Sequence, residues 1–300
     1  MKNQEILKAH LALLGANLIY GAGFSIAKMI MPAYIQPNGF ILLRVVGATI
    51  LFWLSFLFGK NFRTKIDKKD WKLFILCAML GVAFNQLLFF QGLSYTTPIH
   101  ASLMMLSTPI LVSVLSSFIL KEKLFGLNYL GLLLGVVGGA ILILLKDNHN
   151  IGSNILKGDF YVFVNAVIYS IYLIMVKPLM KKYRPIVVIR WVFLLGSFIV
   201  IPFGFNDVTH VNWATLEFNH YLAIVYIVVG VTFLTYLWNT YSLRILSAST
   251  TGAYIYLQPL FAAVISILFL GEQLSITKII AAFLIFIGVY LVSKKSKNAF

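Results

Sequence analysis

Apolar residues do not alternate along this chain. They gather into ten runs of about 20, at residues 9–30, 38–58, 72–94, 98–120, 126–145, 159–177, 186–204, 220–242, 249–270 and 275–293, with charge, Gly, Pro or Asn in the gaps. At about 1.5 Å per residue, a helix of about 20 residues crosses a hydrocarbon core of about 30 Å. Inside lipid every backbone N–H and C=O needs an internal partner, which a helix supplies and an open strand does not. A transmembrane barrel would show strict apolar/polar alternation, and none is present. The pattern predicts an all-α membrane protein of ten transmembrane helices.

The pattern also repeats. PILVSVLSSFILKEKL, from Pro109 to Leu124, returns 150 residues later as PLFAAVISILFLGEQL, from Pro259 to Leu274, with six of its sixteen residues identical. Gly138 and Gly288 keep the same offset, YGAGFSIAK from Tyr20 parallels YSIYLIMVK from Tyr169, and Arg44 in LLRVV parallels Arg190 in VIRWV. These matches predict two five-helix units, 1–148 and 149–300, joined near KDNHNIGSN. Five is odd, so the second unit enters the membrane from the opposite side. The result is an inverted repeat with a pseudo-two-fold axis in the membrane plane, a recurring plan of secondary transporters whose substrate site lies between the halves.

Charge fixes the expected orientation. The chain is 60% hydrophobic and only 11% charged, yet its net charge is +15. Of the 24 Lys and Arg, eighteen fall in the gaps on the side of the termini and four (Lys28, Lys146, Lys157, Lys278) in the opposite gaps, with Arg44 and Arg190 just inside spans. The positive-inside rule then puts both termini in the cytoplasm of a multi-pass protein of the cell (inner) membrane. The same distribution argues against nucleic-acid binding. KNFRTKIDKKDWK, from Lys60, is the main cytoplasmic anchor. Cys77 is the single cysteine and excludes an intrachain disulfide framework. The first apolar run does not read as a cleaved signal peptide.

The order and spacing of these landmarks, the twofold unit with its Arg and P…E…L positions, resembles the EamA domain family of the drug/metabolite transporter superfamily over about 10–145 and 158–294. Tyr20-Gly21 stands where that family often has Trp-Gly. The resemblance implies ten helices, a central cavity lined mainly by spans 1, 3, 4, 6, 8 and 9, and export or uptake of small metabolites such as amino acids.

Polar residues inside spans are costly unless they face the bundle interior or water. Span 3 carries Asn85 and Gln86; span 8 carries Thr232, Thr235 and Asn239 on one helical face, and at offset 150 Thr235 matches Asn85 and Tyr236 matches Gln86. Span 9 adds Thr251, Tyr254 and Gln258, span 6 adds Asn165, Tyr169 and Tyr172, and span 1 adds Asn17 and Tyr20. Individually each fits interhelical hydrogen bonding; as a set they predict a shared polar and aromatic substrate cavity. His100 is the histidine placed to titrate within a span, as a cavity or proton group or as a hydrogen-bonded interfacial side chain. Pro109 and Pro259 fall inside spans 4 and 9 and are hinge candidates. Glu122 and Glu272 read either as proton-coupling carboxylates or as anions at the N-terminus of the next helix. Arg44, Arg190, Lys28 and Lys177 read as snorkelling or carbonyl-bonded cations, with direct contact to an anionic substrate as the other reading. The glycines from Gly131 to Gly139 fit packing within the unit or a dimer face.

The expected function is a secondary transporter that moves a small, amino-acid-like metabolite by alternating access, with export as the expected direction. Its expected partners are that metabolite and the lipid bilayer, as a monomer or a homodimer. The alternatives are an intramembrane enzyme acting on a lipid or prenyl substrate, and a passive channel. An enzyme would need clustered carboxylates for metal or a nucleophile–base constellation. The nine Asp and Glu are scattered at loops, so no catalytic residue, metal or cofactor is expected. No phosphate-binding loop of Walker type is present, which removes ATP as the direct energy source.

Overall fold

The computed structural model describes residues 2–57, 64–119, 126–144, 153–245 and 254–293, and every regular element among them is helical. Six helices are long and apolar enough to cross a membrane: Gln4–Ile30, Pro37–Ser55, Lys68–Tyr95, Ile155–Lys182, Pro185–Thr209 and Phe218–Asn239. Four apolar helices are shorter: Pro98–Val112, Leu127–Ile141, Leu257–Leu270 and Ile276–Gly288. In chain order the α-helices are α1 (Lys2–Ile30), α2 (Pro37–Leu57), α3 (Trp71–Ala78), α4 (Phe84–Tyr95), α5 (Pro98–Met105), α6 (Ser107–Ile119), α7 (Gly126–Leu144), α8 (Ile155–Lys182), α9 (Pro185–Thr209), α10 (Phe218–Val225), α11 (Thr235–Ile245), α12 (Leu257–Leu270) and α13 (Ile276–Ser293).

Their starts follow local chemistry. Pro185 opens α9, where its missing N–H would be unpaired in any case. Thr97 precedes Pro98 and its Oγ1 accepts the backbone N–H of His100 at 3.2 Å, so α5 has both an N-cap and a first-turn proline. Asn154 caps α8 through the N–H of Lys157 at 3.2 Å.

Two helices change pitch rather than direction. Between α3 and α4 the chain makes a π-turn, Met79–Ala83, and between α10 and α11 a longer one, Tyr226–Leu234. The two lie at nearly the same place in the two halves; the first ends one residue before the polar pair Asn85/Gln86 of its span, and the second immediately before Thr235/Tyr236. A π-turn inserts a residue into the helical ladder and re-aims the side chains of the next turn.

Pro109 lies inside the apolar helix Pro98–Val112, three residues past an interruption at Leu106, and Pro259 stands third in α12. α5 ends at Met105 and α6 begins at Ser107; a 3-10 turn, Tyr254–Tyr256, precedes α12. The physical reason is that a first-turn proline gives up an N–H that has no partner one turn back, so restarting the helix avoids the loss that a mid-helix proline imposes.

The helices pair in a pattern that links the halves. α7 packs on α13, α2 on α9, α4 on α8, α1 on α11 and α12, and α5 and α6 on α8. Phe40, Phe52, Phe74 and Phe193 fill the centre with no accessible surface or nearly none, whereas Phe118, Phe218 and Leu268 point outward, as lipid-facing side chains do. At the α7–α13 seam a Cβ on Gly288 would stand 2.7 Å from the carbonyl oxygen of Gly131 and the nitrogen of Gly135. The glycine-rich stretch of α7 therefore packs within the chain, with small residues permitting the close backbone approach.

Candidate functional site

Four tyrosines and one arginine meet deep in the bundle. Tyr20 comes from α1, Arg44 from α2, Tyr169 and Tyr172 from α8, and Tyr236 from α11. Tyr236 lies within electrostatic range of Tyr20, Tyr169, Tyr172 and Arg44, and Tyr20 neighbours Thr235 and Arg44. The Tyr169 and Tyr172 rings stack at 5.8 Å, and Tyr172 packs against Gly81 of the first π-turn, where a Cβ would come within 2.4 Å of the ring. Only glycine admits the ring there. Tyr20, Tyr169 and Tyr236 are surrounded by protein, yet each keeps accessible surface.

Arg44 is 7% exposed, so it does not snorkel. Its Nε donates to Thr232 Oγ1 at 2.8 Å, and the guanidinium sits 5.0 Å over the Phe90 ring. Among the described residues no carboxylate pairs with it. Burying a cation in this way costs several kcal/mol, order of magnitude, before compensation.

Asn85 and Gln86 sit one turn from this group. The Asn85 carbonyl accepts from Asn165 Nδ2 at 2.6 Å, which fixes α4 against α8 one turn before Tyr169. The side-chain amides of Asn85 and Gln86 make no hydrogen bond among the described residues and are not among the sealed polar atoms. Thr235 Oγ1 instead donates to its own helix, to the Val231 carbonyl at 2.8 Å, and Asn239 Nδ2 donates to the Thr235 carbonyl at 2.8 Å.

The expected span 9 residues run down a seam with α1 rather than into the tyrosine group. Gln258 Nε2 donates to Asn17 Oδ1 at 2.9 Å, and Tyr254 shares a 2.8 Å hydrogen bond with His10 Nδ1 near the end of the bundle that holds the N-terminus. Thr251 and Glu122 lie outside the described residues.

His100 stands apart, at the opposite end. Its Nδ1 is 2.9 Å from Asp159 Oδ2, and Thr96 Oγ1 donates to Asp159 Oδ1 at 2.5 Å. His100 Nε2 is buried without a partner among the described residues. At the same end the Glu272 carboxylate accepts from Ser266 Oγ at 2.5 Å, from Lys278 Nζ at 3.2 Å and from the backbone N–H of Ile99 at 3.4 Å. Glu272 therefore serves a helix N-terminus, but that of α5 in the other half rather than of the helix after it. Lys28 Nζ donates to the carbonyls of Leu93 and Ser94 at 2.9 and 2.6 Å, capping the C-terminal turn of α4 as a cation should. A cleft of about 350 Å³ between the 31–36 turn and the end of α9 opens outward at this end and is remote from the tyrosines.

The sequence singles out the tyrosines and amides of this interior group. It weights Arg44 toward a positional role, because a charge near the start of an apolar run looks like an anchor. Asp159 escapes sequence reasoning on the same ground: only the fold shows that a residue in the second turn of α8 is fully buried against His100.

Known proteins resemble this chain over nearly all of its length. The profile described as the EamA-like transporter family matches twice, over residues 7–145 and 156–294. An uncharacterized transporter, YyaM, of Bacillus subtilis (strain 168) is 24% identical over 288 residues, covering 96% of this chain and 94% of that protein. Another from the same organism, the uncharacterized transporter YoaV, is 28% identical over 295 residues, covering 95% and 97%. A solved crystal structure of a protein superposes with a TM-score of 0.62 at 16% identity, covering 97% of this chain and 98% of that one, which is a likeness of fold.

Proposed function

The chain belongs to the EamA-like transporter family, and we propose that this multi-pass membrane transporter carries a small, amino-acid-like metabolite by alternating access, in the export direction. The observation that carries the reading is the meeting of Tyr20 and Arg44 from the first half with Tyr169, Tyr172 and Tyr236 from the second, with surface left accessible on Tyr20, Tyr169 and Tyr236; in this reading they border the interior space that holds the substrate. Aromatic walls supply stacking and apolar area; the Asn85 and Gln86 amides supply orientation.

The shorter apolar helices complete ten spans in this reading, as two inverted units, 1–148 and 149–300, with both termini cytoplasmic in the cell membrane. Three features support the inversion. The helix pairing is unchanged when the halves are exchanged: α1 on α11 and α12 corresponds to α8 on α4 and on α5 and α6, while α2–α9 and α7–α13 map onto themselves. The π-turns fall at matching positions, and so do the restarted helices at Pro109 and Pro259. Each proline marks a break at which a segment can swing, so the pair acts as hinges. Asn239, Tyr254 and Gln258 line the sides of the pathway, Thr235 packs behind them without accessible surface, and His100 belongs to the buried link with Asp159 at the far end.

Two similar halves of opposite sense exchange conformations, so that one arrangement opens the centre to one face and the other to the opposite face. The test is flux in proteoliposomes of the purified chain across a panel of amino acids and organic acids, with and without a pH gradient. Saturable flux of one chemical class supports the proposal; linear flux with concentration for every solute would make it a channel.

A further inference from the structure

We infer that Arg44 is an anion anchor in the interior space, and that the ligand it selects is a small organic carboxylate with an apolar or aromatic body and no cationic group. The inference rests on the transporter reading in treating that ligand as cargo, and it narrows the amino-acid-like class to carboxylates that have an amino acid's shape and lack its ammonium.

A guanidinium carries five N–H donors in a fixed fork and no acceptor. In Arg44 one of the five is used: Nε to the Thr232 hydroxyl at 2.8 Å. The two Nη groups have no hydrogen-bond partner among the described residues, yet they are not sealed, since they are absent from the buried atoms that lack partners while the residue keeps 7% of its surface. One neutral hydrogen bond between two helices does not require an arginine; a serine or an amide would serve without the cost of desolvating a charge. An ionisable group at this depth is a functional group whose partner has to be named. No described carboxylate is near: Asp159 is taken by His100 and Thr96, and Glu272 by Lys278, Ser266 and Ile99.

The planar fork fits a carboxylate bidentately. Around it Phe90 lies beneath the guanidinium, and Tyr20 and Tyr236 flank it and offer hydroxyls. Those rings form an apolar and aromatic wall for the rest of the ligand. With one buried cation and no acidic side chain among the described residues of the chamber, an ammonium on the ligand has no ionic counterpart, whereas a lone carboxylate has one.

The experiment uses the full chain in detergent and reads binding by calorimetry with three probes that share a body: 3-phenylpropanoate, 3-phenylpropanamide and phenylalanine. The expected result is binding of the carboxylate about tenfold or more tighter than of the amide, the scale of one hydrogen-bonded charge, and at least as tight as of phenylalanine. Arg44→Gln is expected to abolish the preference, and Arg44→Lys to restore part of it, since a point charge without the fork remains. Should Arg44→Gln fail to fold, the wild-type comparison still decides, and Thr232→Val, which releases Nε, is expected to weaken carboxylate binding several-fold. Equal binding of acid and amide, no measurable binding of the acid, or a preference for phenylalanine over 3-phenylpropanoate would overturn the inference. Saturable flux of neutral or cationic solutes without carboxylate preference would sink the anchor and leave the transporter standing; carboxylate-selective binding without flux would do the reverse.

Discussion

The imidazole Nδ1 of His100 lies 2.9 Å from Oδ2 of Asp159, a contact that joins the first half of the chain to the second with both side chains buried. Thr96 completes the carboxylate's hydrogen bonding. Asp159→Ala leaves two buried donors without an acceptor, so it is expected to destabilise the protein by about 1–3 kcal/mol. Asp159→Asn, which keeps one acceptor oxygen, is expected to cost less. Thermal unfolding in detergent measures both, and no loss in either would mean that the contact itself contributes nothing.

Glu272 and Lys278 form a second buried link at the same end, at 3.2 Å with 0% and 1% side-chain exposure. Glu272→Gln strips a buried ammonium of its carboxylate and is expected to cost about 3 kcal/mol. Adding Lys278→Met to that background is expected to recover part of the loss. A double-mutant cycle with no coupling would show that Ser266 and the Ile99 N–H carry the carboxylate alone.

Tyr169→Leu and Asn85→Leu probe the interior group. Each removes a polar atom that faces the accessible space and leaves the packing surface apolar. Flux of the transported solute is expected to fall about tenfold, the equivalent of about 1.4 kcal/mol, while the amount of protein in the membrane is unchanged. Undiminished flux in both would take the substrate site elsewhere.

The π-turn at Met79–Ala83 supplies a different kind of test. Inserting one alanine between Ala83 and Phe84, just past it, is expected to keep the segment helical and rotate Asn85 and Gln86 by about 100° away from their present face. Helical content by circular dichroism should be retained while flux is lost. Retained flux would mean that the re-aiming of this pair has no functional weight.

Gly288 tests the α7–α13 seam. Gly288→Ala places a methyl carbon 2.7 Å from backbone atoms of Gly131 and Gly135, which cannot move aside as a side chain would. A loss of about 1–3 kcal/mol is expected from such overpacking. An unchanged melting temperature would show that the helices separate without cost.

The helical class is readable because long apolar runs leave the backbone no other option in lipid. Helix ends are less so. The run at 159–177 belongs to a helix that extends over Ile155–Lys182, since Asn154 caps it early and polar residues continue it past the apolar stretch. The π-turns leave no trace in the pattern, because hydropathy averages over a window and is blind to one residue of extra pitch. Tyr169 and Tyr236 are legible as polar side chains within apolar runs. The meaning of Arg44 is not, since Thr232, its hydrogen-bond partner, is 188 positions away in the chain. The same holds for Asp159, whose burial is made by residues 59 and 63 positions distant.

The links at the two ends differ in kind. His100–Asp159 and Glu272–Lys278 are dry, whereas at the other end Lys182 reaches Asp67 and Asp70 with side chains 40%, 53% and 18% exposed. Water already competes for the latter, and exposed ion pairs hold little. Raising ionic strength therefore loosens the bundle from one side only, so a simple salt titration can bias which mouth of the protein yields first.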